Sequence, residues 1–520
     1  MTSADQRPAW NLLTGTLTVY GLLGVTIVLG IFLMPFTMRH LGQANYGVWM
    51  LAASMTAYFQ LLDLGYGSGL VRQITQADAR GDDDEVNVVL STAVVVYTVV
   101  GIVTLAATAA LTVFVIPRFP KLTHDQVRTA QVVLAILGTR MAIGFPMGIF
   151  GAINTARQKF ALTGSIAIVV ALIQGAVTFF VLSAGYGVVP LVGATTAVGV
   201  ASFVAYAAAA RRTFPGMRLS PSRFSFRHVR DVTSFSLYLF LISIAYHLAT
   251  NIDNLVIGAY VGTAAIAVYT VAVRLSEYQR ELCGKFTGFL FPMVVRFHET
   301  RDDEALRATL VDGTRIALAL VACVTLGLIA FGRGLIHIWM GSAFDATVVP
   351  MYVLALAGVV MVAQGPTGTI LLGTGRHRMV AYASIAEIAA NAVLSLALVR
   401  GFGLTGVALG TAIPFALINL FVLMPAACRV VGLPIRAFAY DVAVPTLVAL
   451  VPAVIISAAF RLVGDATSVT MLATQSITVG LAYLMTFWSL GLNADDRARY
   501  SASIRQLYGA LPTAPHVVTP

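Results

Sequence analysis

Five charges crowd into the twelve residues Arg274–Lys285, RLSEYQRELCGK, between the uncharged runs VIGAYVGTAAIAVYTVAV and FTGFLFPMVV. Guanidinium groups offer paired N–H donors to phosphate or carboxylate oxygens, and acids in an apolar setting can hold a cation or a proton. On a helix with Arg274 at zero, Glu281 and Lys285 fall beside it, and Glu277 and Arg280 complete an arc of about 140°. Leu275, Leu282, Phe286, Phe289 and Leu290 take the other side. Glu277 and Glu281 can pair with Arg274, Arg280 and Lys285 at three- and four-residue spacings, leaving one net positive charge. Arg140, with no acid in its own run, and Arg315 add to that excess, while Asp63, Asp253 and Glu387 are the remaining acids within apolar runs. Asp253 stands in TNIDNLVIG with Asn251 and Asn254 beside it, and reads equally as a proton or sodium site or as a polar group in helix packing.

Such charges need elements that shield them from lipid. The chain has 520 residues, 58% of them hydrophobic and 11% charged, with a mean hydropathy of +0.85. A soluble protein carries about 25% charged residues, so this composition specifies an integral membrane protein. A span needs about 20 mostly apolar residues. Fourteen runs qualify, near 11–36, 46–67, 87–116, 127–150, 161–183, 188–210, 232–260, 264–294, 308–331, 347–372, 379–399, 403–427, 438–460 and 469–491. The run after Trp10 is too long for a signal peptide and reads as the first span. An even number of spans with a cytoplasmic N-terminus puts most Lys and Arg outside the spans on the cytoplasmic side. The net charge of +10 therefore reports topology rather than nucleic-acid binding. Multi-pass insertion follows, with both termini on the cytoplasmic side of the membrane.

The sequence also repeats itself. Gly81-Asp-Asp-Asp84 recurs as Arg301-Asp-Asp-Glu304, and Thr155-Ala-Arg-Gln-Lys159 as Thr374-Gly-Arg-His-Arg378. Gly185-Tyr-Gly187 returns as Gly401-Phe-Gly403, and LGQANYGVW (41–49) as VGTAAIAVY (261–269). Order and offset, about 220 residues, are nearly constant, which marks an internal duplication. The expected architecture is all-α: two parallel six-helix repeats around a central cavity, plus two extra C-terminal helices. The expected division is 1–215 (spans 1–6), 216–430 (spans 7–12) and 431–520 (spans 13–14 and the tail), with the basic linker RRTFPGMRLSPSRFSFRHVR (211–230) between the copies. Charges at the bilayer centre cost several kcal/mol and face a bundle interior or a wet cavity. A cavity with excess Arg suits an anionic substrate, above all a phosphate. The same residues would also serve to tie helices together, or 274–285 to dip among headgroups.

Other chemistry finds little support. Cys283, Cys323 and Cys428 are scattered in apolar runs without metal spacing, so no metal site and no cofactor is expected. Gly65-x-Gly67-x-Gly69 ends a membrane run with no strand before it, and no Walker A sequence occurs. No large loop carries a catalytic constellation, so the protein is not expected to be an enzyme.

LGQANYGVWMLAASMTAYFQLLDLGYGSGLVR (41–72) and TNIDNLVIGAYVGTAAIAVYTVAVRL (250–275) resemble the opening stretches of the two halves of the polysaccharide transporter family, the Wzx-type oligosaccharide flippases. That resemblance extends over spans 1–12 and implies the superfamily of multidrug and toxin extrusion transporters and lipid II flippases. It implies transport of undecaprenyl-pyrophosphate-linked sugars between leaflets by alternating access, for O-antigen, capsule or exopolysaccharide. It places functional cations in spans 4 and 8, here Arg140 and Arg274 or Arg280, and gives weight to Asp253. The excess of charge within the apolar runs adds Lys285 and Arg315 to the expected pyrophosphate site, and polysaccharide assembly enzymes are partners by analogy. Span 1 departs from the lipid II flippases in lacking an intramembrane basic residue. The competing readings are a cation-coupled drug or metabolite exporter, which would want acids and aromatics in its cavity, and a membrane glycosyltransferase or polymerase, which would want a long outer loop.

Overall fold

With no water to satisfy its backbone, an apolar run in a bilayer must close its hydrogen bonds within itself, as a helix. The computed structural model describes residues 6–63, 65–229, 248, 251–284, 287–464 and 466–501, with side chains from 18 onward except those of 289 and 463. Among them there is no strand. The first half holds α1 (Gln6–Ala57), α2 (Tyr66–Ala79), α3 (Asp83–Ala110), α4 (His124–Ala156), α5 (Phe160–Ser183) and α6 (Val188–Thr213). After a helical stretch at 251–260 come α7 (Thr263–Gly284), α8 (Thr287–Glu299), α9 (Asp303–Trp339), α10 (Val348–Ala363) and α11 (Gly365–Gly373). The chain continues as α12 (His377–Ile418), α13 (Met424–Val430), α14 (Ile435–Val463) and α15 (Val469–Thr486).

Ten of the described helical segments are long and apolar enough to cross a membrane. Fourteen spans are consistent with them, because two of the segments each contain two and the runs at 232–260 and 264–294 are not among the ten. At 52 residues α1 would extend about 78 Å, far more than the roughly 30 Å of a hydrocarbon core. It bends at Gly42 (φ 74°, ψ 159°), between the first two apolar runs. The 42-residue α12 bends likewise at Gly403 (φ 55°, ψ −131°), between the runs at 379–399 and 403–427. A left-handed φ is open to glycine without steric cost, so each glycine turns one helix into the next with almost no loop. Most of the run at 232–260 lies outside the described residues. The run at 264–294 holds two described helices, α7 and α8.

Backbone geometry carries the repeat further than chemistry does. Gly81 and Arg301 both adopt positive φ, 70° and 55°. Each precedes an aspartate N-cap: Asp82 accepts from Glu85 N, and Asp302 from Ala305 N. The turn after α4 shows a different register from the sequence match. Gln158 N donates to Thr155 O and Lys159 N to Asn154 O, while Gly375 N donates to Leu372 O and Arg376 N to Leu371 O. Lys159 therefore corresponds to Arg376, two residues away from the pairing that the side chains suggest.

Contacts divide the chain into two compact units, residues 1–274 with 377–415 and residues 275–376 with 416–520. The cuts fall inside α7, in the turn before α12 and near the end of α12. In the first unit α1 packs on α5, α3 on α4, and α4 on α6. In the second, α9 packs on α10, α14 and α15, and α8 on α11.

Candidate functional site

Arg140 sits midway along α4, a helix started by a reciprocal capping box: Thr123 accepts from Gln126 N, and Gln126 Oε1 accepts from Thr123 N. Small residues let its neighbours approach. A Cβ at Gly101 of α3 would lie 2.6 Å from the Ala142 carbonyl oxygen, and one at Gly199 of α6 would lie 2.7 Å from Arg140 Nε and 2.8 Å from its Cζ. The guanidinium is thus laid across the bare backbone of α6. It is half-buried and makes no hydrogen bond or ion pair with a described residue. A cation desolvated without a carboxylate is costly, and an anionic ligand would relieve that cost.

The helix α7 has two faces, as an amphipathic stretch requires. Leu275, Ser276, Gln279 and Cys283 are buried. Gln279 fixes this side: its Nε2 donates to Thr325 Oγ1 at 2.5 Å and to the Ala355 carbonyl at 3.1 Å, and its Oε1 lies where a Cβ at Gly358 would come within 2.5 Å. Arg274 is exposed, and Glu277, Arg280 and Glu281 are half-buried. Arg280 finds only a thioether, Met361 Sδ at 3.3 Å, and no carboxylate among the described residues. Glu281 likewise makes no ion pair there; the Glu277–Arg280 pair expected from spacing does not form, and Lys285, the partner expected for Glu281, lies outside the described residues. Leu282, placed on the apolar side by the helical wheel, is exposed. Lys285, Phe286 and the side chain of Phe289 lie outside the described residues.

Asp253 is buried, 7% exposed, within the first unit. Its carboxylate accepts from Tyr269 Oη at 2.7 Å and from Thr411 Oγ1 at 3.0 Å. Asn391 Nδ2 donates to Thr411 Oγ1 at 3.1 Å, and Ser395 Oγ donates to Asn391 Oδ1 at 3.3 Å and to the Val407 carbonyl at 3.4 Å. Close packing of the two arms of α12 permits this, for a Cβ at Gly410 would strike Ser395. Asn254, next to the acid, donates to Ser54 Oγ at 2.8 Å. No cation faces Asp253 among the described residues. Carboxylate, amide, carbonyl and hydroxyl oxygens with a single formal charge suit a hard monovalent cation or a proton. No cluster of three His, Cys, Asp or Glu side chains occurs among the described residues. Sequence reasoning singled out Asp253 but missed Tyr269, Asn391, Ser395 and Thr411. The i, i+4 pair Asn391 and Ser395, in register with Glu387 in an otherwise apolar run, was the available signal.

Three remaining candidates stand apart. Arg315 is buried and fully engaged: Nη1 pairs with Asp496 Oδ2 at 2.7 Å and approaches Asp312 Oδ1 at 3.6 Å, while Nε donates to the Asp441 carbonyl at 2.9 Å. Arg499 completes the group through Asp312 and Asp496. This arginine ties α9 to α14 and to the segment after α15, and the structure leaves it nothing to offer a pyrophosphate. Asp63 accepts from Tyr97 Oη at 2.6 Å and from Gly67 N at 3.3 Å, anchoring the turn into α2. Glu387 is half-buried without a partner among the described residues, one turn before Asn391 on the same face of α12.

Helices bent at glycines, with isolated charges set into an apolar band, define an all-α, multi-span membrane protein. The fold is similar to that of the lipid II flippase MurJ in its inward closed conformation, with a TM-score of 0.71 over 95% of this chain and all of that one, at 15% identity. It is also similar to an inward-facing multidrug resistance transporter of the MATE family, with a TM-score of 0.65 over 79% of this chain and 94% of that one, at 14% identity. The chain belongs to the polysaccharide biosynthesis protein family, whose model matches residues 37–349. Among its relatives, an uncharacterized membrane protein of Bacillus subtilis, EpsK, is 23% identical over 503 residues, 94% of this chain and 97% of that one. A probable low-salt glycan biosynthesis flippase of Haloferax volcanii, Agl15, is 21% identical over 192 residues, 37% of this chain and 41% of that one.

Proposed function

We propose that the protein is a flippase that carries undecaprenyl-pyrophosphate-linked sugars across the cytoplasmic membrane, from the inner to the outer leaflet, for surface or exopolysaccharide assembly. The observation that carries this reading is Arg140: a half-buried guanidinium in an apolar helix, without a carboxylate among the described residues. Arg274 and Arg280 are the further cations offered to the pyrophosphate as it crosses. Excess positive charge favours a diphosphate over a hydrophobic cation, which supports a flippase over a drug exporter of the same fold. The names of the relatives lend the same support, since one is a glycan biosynthesis flippase and one structural neighbour flips lipid II.

Two six-helix copies, 1–215 and 216–430, followed by 431–520, fit the matched turns at Gly81 and Arg301. Both termini on the cytoplasmic side fit the distribution of Lys and Arg. Transport is driven by a cation at Asp253. Its cage supplies oxygens from the 251–260 stretch and both arms of α12, so occupancy would draw these segments together. A ligand shifts a conformational equilibrium only by its differential affinity for the two states, and a cage assembled from separate helices has that property.

The test is a leaflet assay in liposomes loaded with a labelled undecaprenyl-pyrophosphate sugar, comparing the wild type with Arg140→Ala and Arg280→Ala. Protein-dependent exposure of sugar to an outside probe, lost in folded variants, is the expected result. Uptake of a hydrophobic cation without sugar flipping would overturn it.

A further inference from the structure

The segment after α6 is strapped onto the end of α3 that carries its acidic N-cap. Arg157 donates to the Thr213 carbonyl at 2.7 Å, pairs with Asp78 at 2.6 Å, and stacks its guanidinium 4.5 Å from the Phe214 ring centre. Asn87 then grips the segment twice, giving Nδ2 to the Gly216 carbonyl and taking Arg218 N at 2.6 Å. Ser91 accepts from Ser220 N and Thr92 from Ser225 N. Beyond Ser225 the chain turns back, and the His228 carbonyl accepts from Gln73 at 3.2 Å. Residues 224–226 are therefore the apex of a strap that climbs α3 and returns.

Two features of that apex point to one occupant. Thr92 lies about 14 Å along α3 from its first residue. Beyond it the helix exposes Val99, Ile102 and Val103, the band that faces lipid. The apex thus stands at the rim of the apolar band, and there Phe226 is 73% exposed, with Phe224 and Leu219 also out. Aromatic rings at a bilayer rim rest among headgroups. The second feature is charge. The nearby acids are already engaged: Asp78 and Asp83 with Arg157, Asp84 with Arg223, Glu85 with His228, and Asp82 as the α3 cap. Arg211 and Arg212, at the root of the strap where α6 ends, and Arg218, on its climbing arm, remain exposed.

We propose that residues 214–229 form an interfacial strap that binds anionic lipid headgroups, with Phe224 and Phe226 seated in the bilayer rim and Arg211, Arg212 and Arg218 on the lipid phosphates. Surface arginines gain free energy from an anionic leaflet, and the gain is screened by salt. The strap goes beyond the proposed transport and does not depend on it, since it would bind lipid whatever the substrate.

The test uses the full chain in nanodiscs. In Phe226→Trp, the added indole emission should be quenched by lipids brominated near the headgroup end of the acyl chain. A water-exposed, unquenched emission would overturn the proposal. Retention of phosphatidylglycerol over phosphatidylcholine, read by native mass spectrometry, should fall about tenfold or more in Arg211→Gln/Arg212→Gln/Arg218→Gln, and less steeply at high salt. An unchanged preference in that folded variant would overturn it as well. Asn87→Ala should free the strap, raising amide exchange over 216–226 and reducing the same preference. Loss of exchange protection with lipid preference intact would show that the docked strap does not contribute to headgroup binding, and would also defeat the proposal.

Discussion

The guanidinium of Arg140 occupies the space that a side chain at Gly199 would fill, with Nε 2.7 Å and Nη2 2.9 Å from the position of a Cβ. Gly199→Ala should therefore push the guanidinium off α6. The displaced group is the far end of a flexible side chain, so the expected stability change is small, within about 1 kcal/mol. Sugar flipping should fall all the same, and Gly199→Ser should fall with it. A melting curve beside the leaflet assay separates the two effects. Full flipping in folded Gly199→Ala would show that the position of Arg140 does not matter.

Asp253→Asn removes the only formal charge from the oxygen cage while keeping a side chain that can bond Tyr269 and Thr411. If the cage holds the driving cation, sodium or acid should raise the wild-type melting temperature and leave that of Asp253→Asn unmoved. A cation present at a hundred times its dissociation constant stabilises by about 2.7 kcal/mol, a shift easily read. Thr411→Val should weaken the response without abolishing it. Equal melting shifts in wild type and Asp253→Asn would place the ion elsewhere.

Asp496→Ala strands Arg315 in a buried position with the Asp441 carbonyl and the more distant Asp312. Breaking a buried pair from one side costs about 3–5 kcal/mol. Replacing both partners at once, as Arg315→Met/Asp496→Leu, should cost much less, since no charge is then left alone. Chemical denaturation in detergent would measure the difference. A double variant as unstable as the single one would contradict the ion-pair account.

A Cβ at Gly47 would fall on the carbonyl of Thr263, the first residue of α7. Backbone cannot yield as a side chain does, so Gly47→Ala should be poorly folded, whereas Gly24→Ala, with open space around it, should be neutral. Expression level and size-exclusion profile would distinguish them. Similar behaviour of the two would mean that α1 and α7 do not approach closely in the folded protein.

Spans were legible because lipid imposes a length and an apolar composition on each, and those leave a trace in any window of sequence. The bends at Gly42 and Gly403 were legible for the same reason, since they fall where one apolar run gives way to the next. The equivalence of Lys159 and Arg376 was not, because the turn is defined by backbone hydrogen bonds and the similar side chains sit two residues out of register. Neither was the fate of Arg315. Its intramembrane position looked like that of Arg140, and only the fold reveals that Asp496 answers one of them and no described carboxylate answers the other. The cage around Asp253 escaped notice because Asn391, Ser395 and Thr411 are ordinary residues singly and become a cage only when α12 doubles back on itself.

The pairing of Arg315 with Asp496 also has a temporal side. These residues are 181 positions apart. At a translation rate of about 5–20 residues per second, the arginine enters the membrane region roughly 10–40 s before its aspartate exists. During that interval Arg315 has only the more distant Asp312, one turn back on α9, to answer its charge. Closure of the second unit is therefore a late event in biogenesis, completed only when the segment after α15 has left the ribosome. A transcript cut short before that segment yields a protein with every span inserted and an arginine still waiting, an imbalance that membrane proteases and chaperones can recognise.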